Sequence, residues 1–404
     1  MSGRSAEAPA VNGLGSVAIV GGSLAAVAAA NALRSKGFEG RVTIYTEEGR
    51  APYTRPPLSK DILEGRNIPE SADLHIGNDI DVRVGLRATA LDLGARKLHI
   101  STGETVDFDG LIIATGSRAR SLAGSPDVRE FLLRSMDDAL SLQEALTGAS
   151  TVAVVGAGPL GMEVASVCAG LGRAVTVVDP LPPMERQVGS YLADLIQECA
   201  AQSGVRMERS SGFAEVVDAG NGRSAIVAGE LRVEADIVIT AAGECPNVEW
   251  LEGSGLEIDG GLVVDERMLA APGVVAAGDV VVRRVGGRTI RTPLWTNALE
   301  QATAAAATLL DPHNAQPYCE RPYFWTELFG LSIKVCGHIP LDRDPVVVEG
   351  DRSERDLVLQ WWDGDTSVAA ATVNHRMPIA KLRRLVGISN NAEQPTPSRI
   401  EAMS

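Results

Sequence analysis

An α/β fold built twice over, with a smaller α+β domain after it, is what this sequence predicts, and three observations predict it. At two places a short apolar strand runs directly into a glycine-containing loop that opens a helix, and the helix leads to a second strand closed by an acidic residue. Each copy is followed by a further apolar strand ending in glycine, Gly116 and Gly243, which lie 95 and 87 residues past the first glycine of their loops. An internal duplication explains that agreement better than chance does. Past Asp311-Pro312-His313-Asn314 the texture changes: aromatic residues cluster at Tyr318, Tyr323, Phe324, Trp325 and Phe329, and strand-like segments alternate with turns.

Taken in order, residues Met1 to Gly15 read as a loose tail. The first copy then has the strand Val17 to Val20, the loop Gly21-Gly22-Ser23-Leu24-Ala25-Ala26, an alanine-rich helix ending near Gly37, and the strand Arg41 to Tyr45 followed by Glu47. The second has the strand Val152 to Val155, the loop Gly156-Ala157-Gly158-Pro159-Leu160-Gly161, a helix to Gly172, and the strand Ala174 to Val178 closed by Asp179. A further apolar strand, Pro272 to Val280, contains Gly278-Asp279, and Asn297 to Leu310 is helical. The segments Pro345 to Val348, Leu357 to Trp361 and Val368 to Val373 read as strands. The expected organisation is two Rossmann-like dinucleotide-binding domains in a glutathione-reductase-like arrangement, the first discontinuous over 16–121 and 246–317 and the second over 122–245. A C-terminal α+β domain over 318–404 follows, disordered from Asn390.

Composition narrows the function. A chain of 404 residues exceeds what one core ordinarily serves. With 37 basic against 52 acidic residues the net charge is -15, which argues against a general nucleic-acid or anionic-membrane role. The five cysteines, Cys168, Cys199, Cys245, Cys319 and Cys336, form neither a C-x-x-C pair nor a metal-ligand spacing, so no metal site is expected. They read as reduced, buried, small hydrophobes of a cytoplasmic protein. The apolar stretch Val17 to Ala30 behind Arg4 imitates a signal peptide, but Gly21-Gly22-Ser23 breaks it as a strand-to-helix turn does. No targeting or membrane-spanning segment is expected.

The loops carry chemistry because a dinucleotide pyrophosphate is doubly negative, while a helix N-terminus offers N–H groups and the positive end of the helix dipole. Gly156, Gly158 and Gly161 complete the G-x-G-x-x-G pattern directly after a strand. In the first loop Ser23 and Ala26 replace two glycines. Both are small and Ser23 can donate to a phosphate, yet the loop alone also fits an ordinary packed turn; duplication and Glu47 favour binding. Glu47 and Asp179 stand where an acid accepts ribose hydroxyls, against the alternative of a solvated carboxylate. A carboxylate repels a 2'-phosphate, so Asp179 favours NAD over NADP, while Arg173 and Arg186 are near enough in sequence to serve NADP instead.

The string Pro52-Tyr53-Thr54-Arg55-Pro56-Pro57-Leu58-Ser59-Lys60, the Ala114-Thr115-Gly116 strand end, Pro246-Asn247, Gly278-Asp279, Trp295 to Gln301 and Phe324-Trp325 together carry a resemblance over roughly Val17 to Gly387. The chain resembles the oxygenase-coupled NADH-dependent ferredoxin reductases, FAD enzymes serving haem monooxygenases and ring dioxygenases. The resemblance implies that Ala25, Glu47, Lys60, Ala88, Arg134, Asp279 and Trp295 line FAD, beside Gly21, Ser23, Leu24, Arg55, Thr115, Gly116 and Gly278. On the NADH side it implies Gly156, Gly158, Leu160, Gly161, Glu163, Asp179, Arg186 and Gly243. It also implies that Lys60 stabilises the reduced flavin and pairs with Glu163, which orients the nicotinamide carboxamide; a surface ion pair is the alternative. Trp325 is expected to cover the flavin or the nicotinamide, with a core aromatic as the alternative.

Relatives that reduce disulfides need redox cysteines near Pro56-Pro57-Leu58, and none occurs between Met1 and Val167. Electrons must then leave the flavin directly. NADH yields two as hydride and a [2Fe-2S] ferredoxin takes one at a time, so the flavin is the converter. Arg283, Arg284, Arg288 and Arg291 form a basic cluster that could meet an acidic ferredoxin or simply belong to a solvated hairpin. Rubredoxin, a quinone or oxygen as acceptor, and a slow-turnover FAD/NADH-sensing binding protein, are the competing readings.

Overall fold

The computed structural model describes residues 13–388, and within it the chain forms two compact units. One is built from residues 13–57, Arg66–Ala119 and Glu244–Glu320; the other from Leu58–Gly65, Arg120–Gly243 and residues 321–388. The expected tail lies outside the described residues up to 12, and the stretch from Asn390 lies wholly outside them. Gly15 is not part of a tail, because its amide and carbonyl are both hydrogen-bonded, to Asp109 and to Arg41.

The first unit centres on a six-stranded sheet in the order Leu269–Ala271, Val274–Ala276, Gly110–Ile113, Ser16–Val20, Arg41–Tyr45, Asp81–Arg83, parallel except for the outermost hairpin pair. Ser16–Val20 and Gly110–Ile113 are almost continuously buried, as strands covered on both faces must be. The helices Leu24–Ser35 and Trp295–Leu310 pack together through alanines, with Ala26, Ala29, Ala30, Ala302, Ala305 and Ala306 all fully buried. Such small side chains bring the Gly278 turn within reach of the first loop: a Cβ on Gly278 would stand 3.1 Å from that of Ala25.

The second unit repeats the parallel core in the order Ile237–Thr240, Thr151–Val155, Ala174–Asp179, Arg206–Arg209. Its remainder is an antiparallel five-stranded sheet, in the order Tyr323–Leu328, Leu331–Gly337, Thr366–Val373, Asp356–Asp363, Val346–Asp351, with the helix Ile379–Arg384 against it. The reading of strand-like segments between turns located the last three of these strands. It did not reveal the three-stranded sheet spanning Ala88 to Asp107 or the one spanning Ala214 to Ala235, whose short strands carry mixed burial.

The duplication extends to single hydrogen bonds. Asp109 accepts from Gly15 N (3.0 Å), Ser16 N (2.8 Å) and Ser16 Oγ (2.9 Å), and Asp236 accepts from Ser150 N (3.0 Å), Thr151 N (2.9 Å) and Thr151 Oγ1 (2.9 Å). Burial works to raise the Asp109 carboxyl, and the bonds from Ser16 and Gly15 outweigh it; at Asp236 the amides of Thr151 and Ser150 lead. Both groups titrate below their ordinary value when folded, so each contributes stability above the usual carboxylate range that is lost as pH falls through the folded value. Asp236→Asn is therefore expected to flatten the acid limb of the stability curve. Thermal melts between about pH 5 and pH 3 check this, and an acid limb as steep as the parent's would refute it.

Candidate cofactor site

The second loop is closed on its inner side and open on its outer side. Gly156 has φ 106° and donates to the Val178 carbonyl at 2.9 Å, and a Cβ there would stand 2.4 Å from the Ala241 oxygen. A Cβ on Gly161 would stand 1.9 Å from the Gly156 oxygen, so the helix Pro159–Gly170 can lie against the loop only with glycine at that position. Gly158, by contrast, precedes that helix with no side chain capping it, and a Cβ there would meet nothing within 4 Å. Open space before uncapped helical amides is a cradle of the charge a pyrophosphate needs. Asp179 binds the loop itself, accepting from Ala157 N and Leu181 N at 2.8 Å each. One lone pair per oxygen remains for a ribose hydroxyl. Gly243, with φ 96°, ends the neighbouring strand in open space, Leu160 is half-buried and Arg186 is exposed.

The first loop has the same construction with one change. Gly21 has φ 128°, donates to Tyr45 at 2.9 Å, and has no room for a Cβ, which would stand 2.1 Å from the Ala114 oxygen. Gly22, given no role of its own in the sequence reading, lies so close to Thr46 that a Cβ would stand 2.0 Å from its Oγ1. Ser23 caps the helix Leu24–Ser35 in position only: its hydroxyl donates to the Tyr53 carbonyl at 2.8 Å. The expected hydroxyl donor to phosphate is thus committed elsewhere, and what the loop presents is backbone N–H at an uncapped helix start. These residues fit a second dinucleotide. The strand end Thr115-Gly116 is locked to Asn247 by Thr115 Oγ1 to Asn247 O and Asn247 Nδ2 to Thr115 O, both 2.9 Å. Glu47 is exposed, with Arg87 at 3.9 Å; Arg55 pairs with Glu48 at 3.0 Å and lies over the Tyr53 ring; Ala88 is buried. Trp295 begins its helix and donates Nε1 to Thr54 Oγ1 at 3.0 Å.

Lys60 and Glu163 do form an ion pair, at 2.7 Å, within the second unit, and it is not a surface pair: the side chains are 16% and 9% exposed. Glu163 is also held by Ser59 Oγ at 2.6 Å and Thr326 Oγ1 at 2.7 Å. Ser59 and Thr326 were not expected, since they lie 104 and 163 residues from Glu163. Trp325, the next residue along the strand from Thr326, points to the opposite face and stacks on Tyr323 with centroids 5.9 Å apart. Arg134, also of this unit, stands just ahead of the helix Met136–Gly148, its amide donating to Asp138 at 3.0 Å.

The basic cluster requires correction. Val281–Val285 and Arg288–Ile290 form a hairpin, but Arg283 is 6% exposed, paired with Glu320 and stacked 4.9 Å over the Tyr318 ring. It follows two buried valines on a strand whose first three residues are all covered, so adjacency to Arg284 misled. Arg291 is turned inward onto Glu244 and the Asp279 carbonyl. Only Arg284, paired with Glu257, and Arg288 stand at the surface. Arg283→Ala is accordingly expected to act on folding, lowering stability by about 3 kcal/mol because the mostly covered Glu320 carboxylate loses its guanidinium and keeps the neutral Asn297 amide. Denaturant unfolding checks it, and a midpoint within error of the parent's would refute it. The cysteines also differ from expectation: Cys168, Cys199 and Cys336 are buried, but Cys245 is half-buried and Cys319 exposed. Among the described residues, no helix is long and apolar enough to cross a membrane.

Comparison with known proteins agrees with this geometry. Residues 15–307 match the pyridine nucleotide-disulphide oxidoreductase family, and residues 323–399 match a reductase C-terminal family. The chain is 32% identical over 393 residues to the biphenyl dioxygenase system ferredoxin–NAD(+) reductase component of Paraburkholderia xenovorans, covering 94% of this chain and 95% of that protein. It is 30% identical to a rubredoxin–NAD(+) reductase of Pseudomonas putida, covering 89% and 95%. The crystal structure of the ferredoxin reductase for the CYP199A2 system from Rhodopseudomonas palustris superposes with a TM-score of 0.86 at 26% identity, covering 96% of this chain and all of that one. The two cradles and these matches together place the chain in the pyridine nucleotide-disulphide oxidoreductase family, as an oxidoreductase that uses FAD and NAD(H).

Proposed function

We infer that the chain is an NADH-dependent ferredoxin reductase of the cytoplasm, delivering single electrons to a [2Fe-2S] ferredoxin that serves a monooxygenase or a ring-hydroxylating dioxygenase. The observation that carries this is a pair of dinucleotide cradles in a chain with no cysteine before Cys168, a thiol that burial pushes up to about 12. When bound, FAD supplies the conversion of a hydride pair into single electrons. To this chain's residues we assign the rest. Gly156 to Gly161 seat the NADH pyrophosphate, Asp179 its ribose, and Glu163 the nicotinamide carboxamide, while the Lys60 ammonium favours reduced flavin. Gly21 to Ala25, Glu47 and Asp279 hold FAD.

The test is reduction of cytochrome c by the FAD-loaded protein with NADH, with NADPH, and with each acceptor protein added. NADH is expected to bleach the flavin rapidly and a [2Fe-2S] ferredoxin to accelerate cytochrome c reduction; no acceleration would reject the ferredoxin assignment. Likeness to a rubredoxin reductase favours rubredoxin as the second reading, and acceleration by rubredoxin alone would establish it. For docking we assign Arg288, exposed on its hairpin, with Arg284 in support. Arg288→Glu is expected to raise the ferredoxin KM several-fold and to flatten its salt dependence, as charge at an interface rim acts on encounter. An unchanged KM at low salt would leave Arg288 as solvated surface.

A further inference from the structure

In the first unit the guanidinium of Arg291 is turned onto the main chain. Its Nε and Nη2 both donate to the main-chain carbonyl of Asp279, at 3.2 and 2.8 Å, and Nη2 also meets Glu244 Oε1 at 2.7 Å. Glu244 is in turn held by the Ser117 hydroxyl on its other oxygen. Glu244–Pro246 and Ser117–Ala119 pair antiparallel, and they are the segments by which the chain enters and leaves this unit, directly after the strand-end glycines Gly243 and Gly116. Both Arg291 and Glu244 side chains are 23% exposed.

The Asp279 carbonyl takes its donors from Arg291. It follows Gly278, whose φ of 85° turns the chain out of the strand Val274–Ala276, and the turn is fixed on one side by Gln301 Oε1 accepting from Gly278 N at 2.9 Å. Val281 N donates to the Gly278 carbonyl at 3.0 Å, and the direction of the next carbonyl, that of Asp279, sets the Asp279 backbone and hence the direction of its side chain. A guanidinium can bridge a carbonyl and a carboxylate in one plane; an ammonium is a point charge and cannot do so with the same geometry.

We propose that Arg291, anchored on Glu244, is a positioning residue for FAD, holding the Asp279 carbonyl so that the turn presents the Asp279 carboxylate to the ribityl chain. This rests on the reading that Asp279 binds FAD. It gives Arg291 a role distinct from partner docking and makes FAD affinity depend on the paired crossover segments.

The experiment uses the full chain as parent, Arg291→Met, Arg291→Lys, Glu244→Gln and Asp279→Ala, each stripped of FAD and titrated back by flavin fluorescence, with melting temperatures for apo and loaded forms. Arg291→Met is expected to raise the FAD Kd by about tenfold or more, the scale of one charge-assisted hydrogen bond, and to shrink the gap between loaded and apo melting temperatures. Arg291→Lys recovers part of the affinity. Glu244→Gln, which keeps the guanidinium on the carbonyl, raises Kd less and serves if Arg291→Met does not fold. A fall in both melting temperatures with the gap unchanged would mean a merely structural role and overturn the proposal. So would a parental Kd in Arg291→Met alongside a weakened Asp279→Ala, which leaves the Asp279 reading intact. A parental Kd in Asp279→Ala overturns that reading, and the proposal with it.

Discussion

Gly158→Val is expected to leave the fold unchanged and to remove most of the affinity for NADH. Position 158 has φ of -72° and ψ of -178°, extended backbone open to any residue, and a Cβ there meets no atom within 4 Å. Its stability cost should be that of an ordinary surface change, within about 0.5 kcal/mol. The same open space lies before the amides of Pro159–Gly170, where a pyrophosphate must come close, and a branched side chain there holds the phosphate away. Losing charge-assisted hydrogen bonds to it costs about 2–3 kcal/mol, roughly a 30- to 150-fold rise in the NADH Kd. Titration with NADH and thermal melts read the two effects separately. Gly161→Ala supplies the contrast: its Cβ would strike the Gly156 carbonyl, so it should lose stability as well as affinity. Tight NADH binding by Gly158→Val would show that the loop is a packed turn and nothing more.

Breaking the Lys60–Glu163 pair should have the larger energetic consequence. Glu163→Gln removes the negative charge from beside a mostly buried ammonium and leaves one carbonyl oxygen to serve the Ser59 and Thr326 hydroxyls. Removing one partner of a buried pair costs about 3 kcal/mol. In a unit of this size that is roughly 6–12 °C in Tm. Lys60→Met should cost less, because the carboxylate keeps both hydroxyl donors and Lys60 is the more exposed partner. Flavin reduction by NADH should slow in both variants with FAD still bound. A double-mutant cycle isolates the pair: a coupling above about 1 kcal/mol is expected, and one near zero would reduce the contact to coincidence.

These two predictions draw on different kinds of information. The glycine loops were legible because strand, loop, helix and acid follow one another along the chain, although of the glycines only Gly161 is required by an atom of its own loop, whereas Gly21, Gly22 and Gly156 are required by Ala114, Thr46 and Ala241. Even there the Ser23 hydroxyl was misread, since its acceptor is Tyr53, outside the loop. The strands at Val346–Asp351, Asp356–Asp363 and Thr366–Val373 were legible as strand-like segments between turns, while those of the sheets spanning Ala88 to Asp107 and Ala214 to Ala235 were not recognised.

By itself the sequence determined the repeated parallel core, the two cradles, the preference for a carboxylate after each second strand, and the lack of thiols before Cys168. All of these are properties of contiguous residues or of composition. Tertiary structure decided which polar side chains are buried and what they hold: Arg283 drawn onto Glu320, Arg291 onto Asp279 and Glu244, and Glu163 fixed by Ser59, Lys60 and Thr326. A buried charge must find its partner wherever the fold brings one, and sequence separation says nothing about which segments the fold will bring together.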